Sequence, residues 1–145
     1  MAQSLNMSQS EISHSLVRSK FAGLLDDSGK KVMRLALMDF LQYALALVFP
    51  QKPGAVVRGI PTAHSAPPLN KEIDSEELYV WPSASGKVRG HGIAPLYPSV
   101  ADAAMKDEKL YQLLALADAL RVGRARERNL AVKELKERIL HTEKK

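Results

Sequence analysis

The sequence contains no cysteine. Disulfide frameworks, thiol nucleophiles and thiolate metal sites are therefore excluded, and a reducing cytoplasm suits such a chain. The basic start and apolar run of a secretory signal are lacking. A run long enough for a membrane helix is lacking too, because the nearest stretch, 32–49, contains Arg34, Asp39 and Gln42. We expect a soluble, cytoplasmic protein.

Proline is absent from both ends of the chain, since all eight prolines fall between Pro50 and Pro98. The 145 residues have room for one domain. We divide the chain into 1–49, 50–98 and 99–145, which we expect to form a single compact unit. The predicted fold class is mainly α, with a Pro/Gly-rich, partly β centre and C-terminal helices.

Helical periodicity predicts most elements outside the centre. A stripe of apolar residues predicts a helix over 9–25. The run from Lys30 to Phe49 is apolar on most sides, which predicts either the central core helix or a dimer interface, and Pro50 ends it. Ser99 is a candidate N-cap for a turn over 100–105, and Asp107 and Glu108 place acid at the start of the next helix. Gly123 interrupts the pattern before a last helix over 124–140.

The centre has the composition of strands and turns. Short strands are predicted over 54–61 and 78–81, and residues 82–86 followed by 87–90 are predicted to close a hairpin. The segment 61–68 is too rich in proline for regular structure. We expect it to lie as a strap over the apolar helix or to form a docking surface for a partner.

The strongest motif lies in residues 2–16. Ala2 is small enough for a close helix crossing into which Leu5 packs, and Asn6 tolerates the left-handed geometry of a tight turn. Ser8 and Glu11 have the spacing of a capping box that opens a second helix. Ile12 and Leu16 are the inward positions of that helix. This spacing is typical of a helix-turn-helix.

The stretch resembles the helix-turn-helix of bacterial transcriptional regulators, and the continuation through Ala22, Gly23 and Leu24 resembles winged proteins of the MarR-like kind. This sequence departs from the pattern of those proteins in two ways. The helix that would precede Ala2 in such a domain is missing, so the start is too late or the helix over 30–49 supplies its packing. The segment 26–31 offers only a tight turn, so the wing is short or lost.

The resemblance implies a sequence-specific regulator that binds double-stranded DNA with a recognition helix in the major groove. Because one short recognition helix reads few bases, it also implies a homodimer on two-fold sites. It also implies that the start and outer face of that helix read bases, while nearby cations contact phosphates. The DNA-binding residues it implies are Gln9, Ser10, Ser13, His14, Arg18, Lys20, Lys30 and Lys31.

Catalysis and metal binding have weak support. His14 belongs to the motif, His64 and His91 fall in Pro/Gly-rich segments, His141 is near the end, and no pair has metal-ligand spacing. Thr62, His64, Ser65 and Asp74 could be combined as a nucleophile set, but no nucleophile elbow surrounds Ser65. We expect no enzymatic activity, no metal and no cofactor.

Two basic segments leave alternatives open. Residues 86–92 are either a flexible hairpin or a displaced wing that touches phosphate through Lys87 and Arg89. The run 121–128 contains four arginines, and it is either a salt-bridged surface helix, a second DNA contact or a surface for another subunit. The alternative function, favoured by the strap, is a protein-interaction module such as an antitoxin or an accessory subunit of a partner enzyme.

Overall fold

The computed structural model describes residues 32–140, and this part of the chain is a mixed α/β unit, about half helical. The helices are α1 (Arg34–Tyr43), α2 (Leu45–Val48), α3 (Val100–Met105), α4 (Glu108–Val122) and α5 (Ala125–Leu140). The strands are β1 (Val56–Pro61), β2 (Tyr79–Pro82) and β3 (Val88–Gly92). Two 3-10 turns, Ala63–Ser65 and Leu69–Lys71, follow β1. The expected mainly α class therefore understates the sheet, and the helix-turn-helix of that prediction lies outside the described residues.

The three strands close on one another, so that each pairs with both of the others. β1 runs antiparallel to β3 over its first half and to β2 over its second half. β2 and β3 are parallel, with Tyr79 opposite His91 and Val80 opposite Gly92. The predicted strands are confirmed, but the predicted hairpin is wrong, because a hairpin requires antiparallel neighbours.

Gly59 lies where the three strands meet. A Cβ atom on Gly59 would come within 2.1 Å of the Trp81 carbonyl oxygen, and one on Gly86 within 2.2 Å of the Gly59 carbonyl oxygen. Both distances are far shorter than a van der Waals contact. The closed sheet therefore requires glycine at these two positions.

Helix α4 is the centre of the core. Asp107 caps it by accepting hydrogen bonds from the Lys109 and Leu110 backbone N–H groups. One stretch of the helix packs with α1, α5 and the second 3-10 turn, and another packs with the sheet and α3. Its buried residues are Tyr111, Ala115, Leu116, Ala117, Asp118, Ala119 and Leu120.

The helix predicted over 30–49 differs from the prediction. Within the described residues it begins at Arg34 and is interrupted at Ala44, which separates α1 from α2. Only Met38 and Leu45 are buried. The interpretation as the central core helix is therefore wrong, because apolar character alone does not tell a core face from an exposed one.

The remaining helices follow the prediction closely. The short turn over 100–105, the capped helix after Asp107, the interruption at Gly123 and the last helix are all present. Ser99 occupies the N-cap position of α3, but its side chain makes no capping hydrogen bond. Within residues 32–140, no helix combines the length and apolar character needed to cross a membrane.

Candidate functional site

The DNA-binding residues implied by the sequence all precede Val32. They lie outside the described residues, so their role stays a prediction. They are Gln9, Ser10, Ser13, His14, Arg18, Lys20, Lys30 and Lys31.

A buried carboxylate joins the sheet to the central helix. Asp118 on α4 is 1% exposed. Its Oδ2 accepts hydrogen bonds from the Thr62 hydroxyl at 2.7 Å and from the Trp81 indole N–H at 2.6 Å. Its Oδ1 forms an ion pair with the Arg121 guanidinium at 2.8 Å. One side chain thus fixes the end of β1, β2 and α4 relative to one another.

Arg121 extends this cluster. Its side chain is only 4% exposed and also donates hydrogen bonds to the carbonyl oxygens of Phe49 and Ala94. Burial raises the pKa of the Asp118 carboxyl, while the Thr62 hydrogen bond and the Arg121 charge act to lower it. Since the carboxylate already has three donors, we interpret Asp118 as a structural junction.

The nucleophile set considered from the sequence is not assembled. The Thr62 hydroxyl donates to Asp118, and the Ser65 hydroxyl oxygen accepts a hydrogen bond from the Tyr79 backbone N–H. The His64 imidazole Nε2 lies 2.7 Å from the Glu77 carbonyl oxygen, to which it donates. Asp74 is exposed. Each group is thus engaged apart from the others, and His91, expected in a loop, lies in β3.

His64 borders a polar cavity of about 300 Å³ beside the start of α5. His64 is 5% exposed, and its Nδ1 has no hydrogen-bond partner among residues 32–140. Tyr79 packs edge-on against it at 4.7 Å between ring centroids, and burial, followed by the Glu77 charge, raises the pKa of Tyr79. The cavity is lined by these residues together with Ser75, Glu76, Arg124 and Glu127. Within residues 32–140, no group of three or more His, Asp or Glu side chains suits a metal ion.

The strap 61–68 is part of the core. Thr62, Ala63, His64 and Ala66 are all buried. Ala63 adopts a left-handed backbone conformation with φ of 54°, and the turn that it begins packs against α4. The strap therefore covers α4 with its own buried side chains and leaves little of itself for a docking surface.

The arginine run 121–128 has several roles. Arg121 is buried with Asp118, and Arg126 donates to the Glu72 carbonyl oxygen. Arg124 and Arg128 are exposed. Farther along α5, Arg138 pairs with Glu134. One ion pair thus lies in the second half of α5, and the alternatives for the run 121–128 stay predictions.

An exposed apolar face covers α1 and α2. Leu35, Tyr43 and Leu47 are 72%, 69% and 82% exposed. Val48 and Phe49 continue this face at the end of α2. The exposed Asp39 lies between Leu35 and Tyr43 on this face, and exposed apolar side chains of this number are a feature of interfaces with another chain.

Asp118 was missed by the sequence analysis, although a signal for it exists. It is the only charged residue in the run 110–120, where an unpaired carboxylate could not be buried without cost. Arg121 follows three residues later, at the spacing of neighbours on a helix face. A charged residue inside an apolar helical run, with an opposite charge one turn away, predicts a buried ion pair.

Comparisons with known proteins found no matching family, no matching curated protein and no matching solved structure.

Proposed function

We propose that this protein is a sequence-specific DNA-binding transcriptional regulator that acts as a homodimer in the cytoplasm and has no enzymatic activity. The observation that carries this proposal is the coincidence, in residues 2–16, of the small, turn and apolar positions of a helix-turn-helix with the Ser8–Glu11 capping box. In this proposal residues 2–25 form a partial helix-turn-helix whose wing is short or lost. Gln9, Ser10, Ser13 and His14 then face the bases.

The exposed face of α1 and α2 supports the dimer. A single short recognition helix reads few base pairs, and a two-fold pair of such helices reads two half-sites. Leu35, Tyr43 and Leu47 lie directly after the proposed DNA-binding segment and expose most of their apolar surface. Burial of such surface between two copies supplies about 25 cal/mol per Å².

The alternative, a protein-interaction module such as an antitoxin or accessory subunit, has less support than the sequence suggested. Its main argument was the strap, whose central residues are buried in the protein's own core. The face of α1 and α2 would serve a different partner chain as well as a second copy. DNA binding therefore has to be measured directly.

The test is fluorescence anisotropy of the full chain on the duplex upstream of its own coding sequence, and on a scrambled duplex, across a salt series. The proposal expects tighter binding to the upstream duplex. Weak binding that is equal on both duplexes and vanishes with salt would refute it and favour the interaction module.

Replacing Gln9 and Ser10 by alanine sharpens this test. We expect specific binding to weaken by about 1–3 kcal/mol per lost base contact, while binding to the scrambled duplex stays unchanged. The matched control is Gln51→Ala with Ser85→Ala, which removes the same side chains elsewhere. An equal loss on both duplexes would contradict a base-reading role.

A further inference from the structure

The exposed surface of the β1–β3 pair presents two arginines directly opposite each other. Arg58 on β1 and Arg89 on β3 are register partners, and both are exposed. Opposed Cα atoms in an antiparallel pair lie about 4.5–5.5 Å apart, so the two side chains start from one place on the surface. Lys87, also exposed, lies two positions before Arg89. We call Arg58, Lys87 and Arg89 the basic strip.

No acid neutralises the basic strip within residues 32–140. The ion pairs formed there by Arg121 and Arg138 both lie on the C-terminal helices. The sequence contains no Asp or Glu over 40–71 or over 78–101, which include all three strands. Among the described residues, the strip therefore carries positive charge that forms no ion pair with an acid.

Two acids of the intervening loop, Glu76 and Glu77, lie at a cavity on another part of the protein. Glu76 and Glu77 line the cavity beside α5, together with Arg124. The backbone of Glu72 accepts a hydrogen bond from Arg126 on the same helix. This loop therefore faces the arginines of α5.

The acid-free ranges 40–71 and 78–101 contain the three cations of the basic strip together with Lys52 and Lys71. Of the 21 Lys and Arg residues, five fall in 40–71 and 78–101, and none of the 16 Asp and Glu residues does. Cations and acids are therefore balanced in the rest of the chain, and these two ranges account for the formal charge of +5. A basic excess confined to one part of a protein is the footprint of a polyanion partner.

Like charges directly opposite each other weaken a strand pair. Arginine suits phosphate because its planar guanidinium can donate two parallel hydrogen bonds to it. We propose that the basic strip is a second DNA contact, separate from residues 2–25, which binds backbone phosphates without reading sequence. This inference rests on the proposed function, and it assigns Lys87 and Arg89, together with Arg58, to phosphate binding.

The test compares three forms of the full chain by anisotropy on the upstream and scrambled duplexes. They are the unaltered protein, Arg58→Gln with Arg89→Gln, and the matched control Lys133→Gln with Lys136→Gln on the exposed side of α5. For the arginine variant we expect the slope of log affinity against log salt to be smaller by about 2 on both duplexes, with unchanged preference for the upstream one. The control should keep the original slope.

A second variant separates charge from folding. Arg58→Lys with Arg89→Lys keeps both charges and should restore most of the slope, while the midpoint of thermal unfolding of the glutamine variant should equal or exceed that of the unaltered protein. An unchanged slope in the glutamine variant overturns the proposal even where the protein prefers its own duplex. The glutamine variant could instead show a reduced slope while no form of the protein prefers the upstream duplex. That result would support phosphate binding by the basic strip and refute the sequence-specific regulator.

Discussion

Helix α4 and the α1–α2 pair have similar apolar sequences but opposite surroundings. Leu116 on α4 is 1% exposed, whereas Leu47 on α2 is 82% exposed. α4 contributes to both parts of the core, while α1 and α2 contribute the buried Met38 and Leu45, with Leu37, Phe40 and Leu41 partly buried against them. Similar apolar content is therefore buried in α4, whereas α1 and α2 leave much of theirs exposed, and in our proposal this exposed surface serves the dimer.

The largest expected effect concerns the one carboxylate that α4 buries. Asp118→Ala should lower the free energy of unfolding by about 3–5 kcal/mol, because it leaves Arg121 buried without its partner. Urea unfolding followed by circular dichroism measures this loss. Thr62→Val, which removes a single donor to the same carboxylate, should cost only about 1–2 kcal/mol. If both substitutions cost the same, Asp118 is not the junction that we describe.

The next prediction compares the cost of the same leucine-to-alanine substitution on α4 and on α2. Leu116→Ala should cost about 2–5 kcal/mol, because it opens a cavity in the core. Leu47→Ala, the same change on the exposed face, should alter the stability of the isolated chain by less than about 0.5 kcal/mol. Urea unfolding at low protein concentration compares them, and a large loss from Leu47→Ala would show that α2 is buried in the measured species.

The smallest effect is a pH dependence at the other end of α4. The Tyr111 hydroxyl donates to the Pro61 carbonyl oxygen at 2.7 Å, and burial raises the pKa of Tyr111 to about 12. Because the folded protein holds the neutral phenol, its contribution to stability is complete below pH 10 and is lost as the pH rises from about 10 to 12.

The expected loss is about 2–3 kcal/mol over that range. Urea midpoints at several pH values, compared with those of Tyr111→Phe, isolate it from other groups that titrate there. The phenylalanine variant should lose less stability as the pH rises. Parallel curves for the two proteins would contradict the role assigned to Tyr111.

The sequence predicted those elements whose signals are local. The acid at Asp107 and Glu108 and the interruption at Gly123 mark the starts of α4 and α5, and both strand predictions are confirmed. The hairpin prediction failed because strand pairing depends on contacts between distant residues. A short link between two strands is only a local signal, and here β2 and β3 pair in parallel while each pairs antiparallel with β1.

In the candidate sites, too, local sequence signals were predicted and long-range contacts were not. Lys87 and Arg89 were noticed as a basic cluster, but Arg58 lies about thirty residues away in sequence, and only the register places it opposite Arg89. The roles of the strap and of Asp118 also depend on long-range packing. The helix-turn-helix residues lie outside the described part of the chain, so their prediction depends on the sequence alone.

The pairing of the three strands has a consequence for how the protein folds. Since β2 and β3 are parallel, their short link cannot form a hairpin that nucleates the sheet, and β1 must meet both partners across long loops. α4 and α5, by contrast, are neighbours along the chain and in space. We therefore expect the helical hairpin to form early and closure of the sheet to limit the folding rate.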